Sequence, residues 1–409
     1  MRILFIHRNF PAQFLYLASF MAQQPNTEVV FITQRKDNQI PNVRKVIYQA
    51  TAKQTYHSHH YLKEYHEWIL HGLGVANAAR QLNEEGFVPD IIYAHSWGGD
   101  LFIKEIYPEV PLLCYFEWYT NPRGSDLDFE PAKSLSKDNL CEIRIKNSPK
   151  LVSLMGCDHA ITPTRWQLQQ FPTAFQAKFS VIHDGVCTSF FRPDSETKLI
   201  IPELNLDLSE AKEIITYATS GMEPYRGFPQ FMQAAAIIQR RRPNCHIVVG
   251  GNDTTFYSQT RSDGMTYKEY FLKTLSLDMS RIHFVGYLQF ARYAKLLQAS
   301  HVHVYLTYPY ILSWSLIEAL ASGCLVIASD TAPVKEVIND GQNGLLVDFF
   351  SPEAIADRVD ECLDHPNRML KLREHARETA VESYDVQKRL GEIINLVNRL
   401  IGGEKASGG

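Results

Sequence analysis

The chain has 409 residues, of which 45% are hydrophobic and 21% charged, and its formal net charge is -4. This length and composition predict a soluble globular protein of two domains, and the scattered basic residues exclude a nucleic-acid partner. Seven cysteines without a CxxC pair, no signal-peptide pattern and no bilayer-length apolar segment predict a cytoplasmic protein, for which peripheral membrane contact stays open.

The first half of the chain alternates apolar runs rich in β-formers with segments of helical period. Strands are predicted in RILFIH, EVVFIT, DIIYAH, VPLLCYFEW, HAITPT and FSVIHDG. Strands that alternate with helices indicate a parallel sheet covered on both faces. We therefore predict a first doubly wound α/β domain, Rossmann-like, over residues 1–193.

The alternation pauses over residues 194–212, which contain proline and several acids and which we interpret as a linker. It resumes over 213–384 with EIITYATS, CHIVVGGN, RIHFVGY, VHVYLTY, CLVIASD and NGLLVDF, so a second doubly wound domain is predicted there. We expect a helix at about 385–402 to pack back on the first domain, and residues 403–409 to form a flexible tail.

Two facing domains of this kind are expected to bind ligands at the carboxyl ends of their strands. Neither the G-x-G-x-x-G fingerprint nor the G-x-x-x-x-G-K-[ST] loop occurs, so the common nucleotide cradles are absent from the sequence. In the second domain, Gly221 follows a strand and Arg226 precedes a helix. A guanidinium beside backbone amides suits a diphosphate, and an exposed arginine beside an ordinary turn fits the same spacing equally.

A second helix start is predicted after VYLTYPYILS, where Ser313 and Ser315 are hydroxyl caps on either side of Trp314. Glu318 follows Ser315 by three residues, which is the spacing of a capping box. The alternative is a carboxylate that accepts hydrogen bonds from both hydroxyls of a ribose. Spacing alone leaves both interpretations open.

From Glu213 to about Ala380 the chain resembles the donor domain of the retaining glycosyltransferases of family 4, which have the two-domain GT-B fold. The resemblance rests on an ordered series of motifs: SGMEPYRGF, IVVGGN, FVGYLQFARYAKLLQASHVHVYLT, SLIEALASGCLVIASD and KEVINDGQNGLLVD. The first half is similar more loosely, through YAHSWGGD, HAITPTRWQ and VIHDGV. The resemblance implies a nucleotide diphosphate-sugar as donor, a hydroxyl acceptor (sugar, lipid or small molecule), no cofactor and no metal.

The same resemblance implies roles for individual residues of the second domain. Glu318 would hold the donor ribose and Arg226 would face the diphosphate, together with amides around Ser313 to Ser315. Gly286 and Tyr287 would lie against the base, and Gly250 and Gly251 would let the backbone approach the donor closely. Tyr310 and Trp314 would line the donor-sugar pocket, and Gly221 would lie in the diphosphate turn. Tyr310 stands where the family often has a first glutamate, and Ser220 or Gly221 stands where a second cation is usual.

In the first domain, His95 ends the strand DIIYAH, and Glu117 follows VPLLCYF where family members commonly have a histidine. Ligand contacts lie at the strand ends of open sheets, so we predict both residues on the acceptor side. The alternatives are a core histidine for His95 and a structural ion pair for Glu117. A group of histidines lacks the pairing of a catalytic zinc helix and is interpreted as surface or acceptor-side chemistry: His57, His59, His60, His66 and His71.

These observations predict a metal-independent, retaining glycosyltransferase with Arg226, Glu318, His95 and Glu117 as catalytic candidates. A nucleotide-sugar epimerase or hydrolase on the same fold is one alternative. A catalytically silent nucleotide-sugar-binding scaffold is another, favoured by Tyr310 and by the missing second cation. A polysaccharide or glycolipid pathway is suggested by analogy alone.

Overall fold

The computed structural model describes residues 1–50, 59–131 and 134–403. The chain divides into two compact units. The first unit combines Met1–Asp184 with the chain from Gln387 onward, and the second is Gly185–Val386. Each unit is built on its own parallel sheet.

The described strands of the first unit are buried apolar segments. They are β1 (Arg2–Ile6), β2 (Glu28–Thr33), β3 (Val43–Ile47), β4 (Ile91–His95), β5 (Leu112–Tyr115), β6 (His159–Thr162) and β7 (Phe179–Val181). They form one parallel sheet in the order β3-β2-β1-β4-β5-β6-β7. Because helices cover both faces, nearly every residue of the central strands is buried, which explains their continuous apolar sequence.

Helices pack on both faces of this first sheet. They are α1 (Leu15–Met21), α2 (Lys63–Glu84), α3 (Lys137–Lys146), α4 (Ser148–Gly156), α5 (Arg165–Gln170) and α6 (Thr173–Gln176). On one face, Val75 and Leu82 of α2 pack with Leu4 and Val30 of the sheet. On the other face, Leu17 of α1 packs with the opposite side chains of the same strands.

The second unit begins with a short antiparallel pair, β8 (Ile200–Ile201) and β9 (Leu206–Asp207). Its parallel strands are β10 (Ile214–Gly221), β11 (His246–Asn252), β12 (Ile282–Gly286), β13 (Val302–Tyr305), β14 (Val326–Ser329) and β15 (Leu345–Val347). These six described strands form a sheet in the order β12-β11-β10-β13-β14-β15. The order reverses between β10 and β13, and this reversal positions the site described below.

Helices also cover both faces of the second sheet. They are α7 (Phe228–Arg241), α8 (Tyr267–Thr274), α9 (Phe290–Gln298), α10 (Trp314–Ala321), α11 (Ala332–Lys335), α12 (Pro352–Asp364) and α13 (Pro366–Ser383). Leu316 and Leu320 of α10 are fully buried against Val326 of β14 and Ala376 of α13. Helix α10 is therefore fixed on the face that it covers.

The segment predicted as a linker, residues 194–212, lies inside the second unit. Its apolar residues are buried with Val248 of β11 and Leu296 of α9, and they are Leu199, Ile201, Leu206 and Leu208. The proline and the acids suggested an exposed connection, but alternate residues of the two short stretches 199–201 and 206–208 face the core. The last helix, α14 (Val386–Ile401), buries Leu396 and Val397 in the first unit beside β1.

Candidate active site

The main candidate site lies at the carboxyl ends of β10 and β13, where the strand order of the second sheet reverses. Open α/β sheets bind ligands at such a reversal. Strand β10 ends at Gly221 and leads through a 3-10 turn, Pro224–Arg226, into α7. Strand β13 ends at Tyr305 and leads into α10. Each predicted helix start is therefore present at this edge.

Arg226 lies in the turn after β10 and is only 7% exposed. Its Nη1 donates to Oγ1 of Thr307 at 2.8 Å and to the carbonyl of Ile311 at 3.3 Å, both in the segment after β13. The Tyr217 hydroxyl donates to the Arg226 carbonyl at 2.6 Å. Burial alone lowers the pKa of this guanidinium, but nearby tyrosine hydroxyls raise it above its ordinary value. Arg226 is therefore a fixed cation and not a solvent-exposed arginine.

A small pocket of about 20 Å³ opens beside Arg226, and we call it the second-unit pocket. A volume of this size holds about one water molecule. Its lining includes the ends of β10 and β13 and the start of α10: Ala218, Thr219, Ser220, Arg226, Tyr305, Ser313 and Ser315. The structure thus brings together the arginine turn and the serine helix start, which the sequence predicted separately.

Helix α10 begins at Trp314, with Ser313 as its N-cap. The Ser315 amide donates to Oγ of Ser313 at 3.3 Å, and the Ser313 amide donates to the Tyr305 hydroxyl at 3.0 Å. The capping box between Ser315 and Glu318 is therefore wrong, because the helix begins two residues earlier than that box requires. The amides predicted to bind a diphosphate are engaged inside the unit at Ser313 and at Ser315.

Glu318 lies in the second turn of α10 and is 9% exposed. Among the described residues its carboxylate makes no hydrogen bond of normal geometry and no ion pair; the Tyr293 hydroxyl is its polar neighbour. Burial raises the pKa of Glu318 to about 7, and the Tyr293 hydroxyl offsets part of this rise. A buried acid without a structural partner costs folding free energy, which is a property of ligand-binding carboxylates.

Tyr310 belongs to a group of tyrosines beside Arg226. Its ring meets the rings of Tyr225 and Tyr257 edge-on, with centroids 5.5 Å and 5.4 Å away. The guanidinium carbon of Arg226 lies 5.2 Å from the centroid of the Tyr257 ring. The position where the family often has a glutamate is therefore part of an aromatic wall. Trp314 is partly exposed at the start of α10.

The four predicted glycines differ in what their surroundings demand. A Cβ at Gly251 would lie 2.2 Å from the Thr219 carbonyl oxygen, and its φ is +136°, so this position requires glycine. A Cβ at Gly250 would meet ordinary contacts, the nearest at 3.5 Å. Gly286 has a φ of +66° with open space around it, next to Tyr287, which is 74% exposed. Gly221 is closed off by the segment that contains Thr254 and Phe256.

Sequence reasoning missed Glu223, which precedes the proline of the arginine turn. Its side chain is fully buried, and Oε2 accepts hydrogen bonds from the amides of Phe256, Tyr257 and Ser258 at 3.2, 2.9 and 2.7 Å. Glu223 therefore fixes the segment after β11 against the turn after β10. The acid is visible in the sequence, but its partners are more than 30 residues away.

In the first unit, three polar side chains meet at the carboxyl ends of adjacent strands. His95 ends β4, His7 follows β1, and Glu117 follows β5. The rings of His7 and His95 are 4.5 Å apart, and Nε2 of His95 lies 3.7 Å from Oε1 of Glu117. Gln13 donates to the same carboxylate oxygen. We call these four residues the first-unit cluster.

Burial sets the protonation of the first-unit cluster. It lowers the pKa of His95 to about 3, helped by Arg8, and lowers the pKa of His7 well below its ordinary value. Both imidazoles are therefore neutral at pH 7. Because the Asn9 amide donates to Nδ1 of His7 at 2.9 Å, the His7 proton belongs on Nε2. Burial also raises the pKa of Glu117 to about 7.

His7 and Gln13 were not predicted from the sequence. The available signal is that β1 and β4 are neighbours in a doubly wound sheet, so their end residues meet. Of the histidines interpreted as surface or acceptor-side chemistry, three are exposed: His59, His60 and His66. His71 is buried with its Nδ1 2.9 Å from the Tyr48 hydroxyl, and His57 lies outside the described residues. In the part of the chain that the structure describes, no group of three His, Cys, Asp or Glu side chains is placed to hold a metal.

Comparison with protein families gives two adjoining matches. Residues 25–191 match the model described as glycosyl transferase family 4 group, and residues 206–379 match glycosyl transferases group 1. The chain belongs to glycosyltransferase family 4. Membership makes it a nucleotide-sugar-dependent glycosyltransferase, and it places the second-unit pocket in the half that matches the group 1 model.

Individual relatives are distant. The D-inositol 3-phosphate glycosyltransferase of Corynebacterium glutamicum is 20% identical over 327 residues, covering 78% of this chain and 74% of that protein. An uncharacterized glycosyltransferase of Methanocaldococcus jannaschii is 28% identical over 121 residues, and the matched part spans only 31% of that relative and 29% of this chain.

Solved glycosyltransferase structures share the fold. The Anabaena protein HepE in complex with UDP superposes with a TM-score of 0.70 at 17% identity, covering 97% of this chain and all of that one. Sucrose-phosphate synthase of Thermosynechococcus elongatus gives a TM-score of 0.72 at 17% identity, with 98% and 100% covered. The architecture is GT-B, as the sequence predicted. Among the described helices, none is both long and apolar enough to cross a bilayer.

The contacts around Gly250 and Gly251 predict that alanine substitution changes stability by very different amounts at these two neighbouring positions. We expect Gly251→Ala to destabilise the second unit by about 2 to 4 kcal/mol, because the new Cβ clashes with a backbone oxygen at a left-handed φ. Gly250→Ala is the matched control and should change stability by less than about 1 kcal/mol. Urea unfolding of both variants checks this; equal losses would contradict the contact argument.

The raised pKa of Glu117 predicts a pH-dependent stability effect. The carboxyl titrates at about 7 when folded, against 4.5 ordinarily, so the folded state binds the proton more tightly. This contribution to stability is present at pH 4.5 and is lost as pH rises to 7. Glu117→Gln should match the original protein at pH 5 and exceed it at pH 8 by up to about 3 kcal/mol.

The measurement is equilibrium unfolding at pH 5 and at pH 8, with Glu109→Gln as the control. Glu109 is exposed, so that variant should follow the original protein at both pH values. A Glu117→Gln variant whose stability difference does not change with pH would show that Glu117 is not desolvated.

Proposed function

We propose that the protein is a retaining glycosyltransferase, of the hexosyltransferase type, that moves a sugar from a nucleotide diphosphate-sugar to a hydroxyl acceptor without a metal ion. In this proposal the second unit binds the donor and the first unit binds the acceptor. The observation that carries it is Glu318, a buried carboxylate whose polar neighbour among the described residues is the Tyr293 hydroxyl and which pairs with no cation there. It lies on the helix whose first turn lines the pocket beside Arg226.

Each part of the donor has a candidate partner in the second unit. The Glu318 carboxylate accepts hydrogen bonds from the two ribose hydroxyls, which a neutral side chain accepts less strongly. The Arg226 guanidinium neutralises the diphosphate, and it supplies a planar set of N–H donors for the purpose. Gly286 and the exposed Tyr287 lie against the base. Tyr310 and Trp314 border the space for the donor sugar.

Charge development is the main demand of the reaction. The acceptor oxygen forms a bond to the anomeric carbon while the bond from that carbon to the phosphate oxygen breaks. The electron pair leaves with the diphosphate, whose departing oxygen takes the acceptor proton on the same face, so configuration is retained. Arg226 stabilises the negative charge that grows on the diphosphate, as fixed cations and amides do in such sites.

The first-unit cluster supplies the acceptor side of the proposal. Both imidazoles are neutral, and Glu117 titrates near neutrality, so the cluster can donate to and accept from a hydroxyl. Gln13 holds one oxygen of Glu117. His95 and Glu117 are therefore the acceptor-side catalytic candidates, and the ring of His7 contacts that of His95.

A catalytically silent nucleotide-sugar-binding protein is the second candidate, and Tyr310 favours it because an aromatic ring replaces a carboxylate beside the donor sugar. Turnover of the donor separates the two proposals. An epimerase or hydrolase on the same fold would also consume the donor. The anomeric configuration of the product, read by NMR, identifies transfer with retention.

The first prediction from this proposal concerns the donor base. We expect one nucleoside diphosphate among UDP, GDP and ADP to bind the purified protein in EDTA, and UDP is tested first because HepE was solved with UDP. Calorimetry measures the affinity, and added magnesium should leave it unchanged. Binding that appears only with magnesium would contradict the metal-independent mechanism, and no binding at all would contradict the donor site.

The second prediction separates the ligand role of Glu318 from a structural one. We expect Glu318→Gln to weaken binding of that nucleotide at least tenfold, about the value of a lost hydrogen bond to a charged group. Its melting temperature should not fall, and above pH 7 it should rise, because the carboxylate has no capping role and its ionised form is destabilised by burial. Glu353→Gln, an exposed acid in α12, is the matched control. A variant that unfolds more easily but binds normally would assign Glu318 to the fold.

A further inference from the structure

One of the two positions at which the second cation was expected, Gly221, is filled by another segment. The family usually has a basic residue near Gly221, but a Cβ there would lie 2.7 Å from the Thr254 carbonyl oxygen and 2.8 Å from the Phe256 ring. The backbone of Gly221 pairs with Asn252 at the end of β11, immediately before that segment. A long basic side chain at Gly221 is therefore excluded by residues 254–256 as they are placed.

The segment that fills this place is anchored by an ionisable group. Oε2 of Glu223 holds the amides of Phe256, Tyr257 and Ser258, and the Ser258 hydroxyl in turn accepts from the Tyr225 amide at 3.2 Å. Hydrogen bonds to a carboxylate are among the stronger ones in proteins. Residues 256–258 are thus tied to the turn that carries Arg226.

The anchored segment presents Tyr257 to Arg226. The guanidinium carbon lies 5.2 Å from the Tyr257 ring centroid, within the range of a cation–π contact, while Tyr310 meets the same ring edge-on. On its other side, Nη1 of Arg226 is bound to Thr307 and Ile311. The Tyr257 ring and the two acceptors contact Arg226 from different segments, so together they hold the guanidinium in place.

We propose that Tyr257, held in place by Glu223, is a positioning residue that orients Arg226 for the donor diphosphate and compensates for the absent second cation. The inference rests on the proposed function of the second-unit pocket. Orientation matters because a guanidinium binds phosphate through N–H groups in its own plane. The Tyr257 ring contacts Arg226 through its face and its hydroxyl also interacts with the guanidinium, so phenylalanine should keep most of the affinity but not all of it.

The test compares ligands with and without phosphates. We expect Tyr257→Ala to weaken UDP binding about tenfold, the order of a desolvated cation–π contact, and to leave uridine binding within about twofold. Tyr257→Phe should restore UDP affinity to within about threefold of the original. Phe256→Ala is the control, because it removes an aromatic ring from the same segment without touching Arg226. Calorimetry at one salt concentration measures UDP and uridine binding by the original protein and by the three variants.

Glu223→Gln tests the anchor. It should lower UDP affinity in the same direction as Tyr257→Ala, with a melting curve recorded to exclude unfolding. If the original protein binds UDP and Tyr257→Ala binds it equally well, the inference is wrong while the proposed function stands. If uridine and UDP weaken together, or if Tyr257→Phe fails like Tyr257→Ala, Tyr257 does not act by orienting Arg226. If the original protein binds no nucleoside diphosphate, the proposed function itself fails.

Discussion

The burial of the Arg226 guanidinium is the constraint on which the second-unit pocket depends. A buried charge is costly unless hydrogen bonds satisfy it, and here they come from Thr307 and Ile311, on the far side of the strand-order reversal. The segment after β13 is therefore tied to the turn after β10. Because Ser313 caps α10 directly after that segment, the position of Arg226 also sets where the helix begins.

Each unit also keeps a largely buried acid at the carboxyl edge of its sheet, and among the described residues neither acid forms an ion pair with a lysine or an arginine. Burial raises the pKa of Glu318 and of Glu117 to about 7 in each case. A carboxylate that served the fold would normally gain a partner that lowers its pKa, as Asp278 does through Ser280 and Arg281. The two acids lower stability when ionised, and retention of such a cost is typical of ligand sites.

Much of the architecture follows from the sequence because buried parallel strands are continuous apolar runs. Every predicted strand run contains a strand, and the doubly wound GT-B arrangement follows from their alternation with helices. The segment at residues 194–212 was harder, since Leu199 and Leu206 show no clear period and gain their meaning only from the core that they meet. The capping box at Ser315 failed for a local reason, because Ser313 offered an equally good cap two residues earlier.

The site was predictable only in part. His95 and Glu117 were named because strand ends are where a doubly wound sheet gathers side chains. Arg226 and Glu318 were named for their positions near helix starts and for the family resemblance. The contact of Glu223 with residues 256–258 could not be foreseen, since it joins segments that are distant in sequence and residues 256–258 carry no motif.

Motif positions and physical roles need not coincide in this protein. Counted by motif, the arginine turn has lost a cation at Gly221 and the sugar side has lost a carboxylate at Tyr310. In the structure, Thr254 and Phe256 occupy the space beside Gly221, and Tyr257 of the same segment places its ring beside Arg226. At the second position, the Tyr310 ring meets the Tyr257 ring edge-on. Both departures therefore lie against one segment, because Gly221 lies beside Thr254 and Phe256 while Tyr310 lies beside Tyr257.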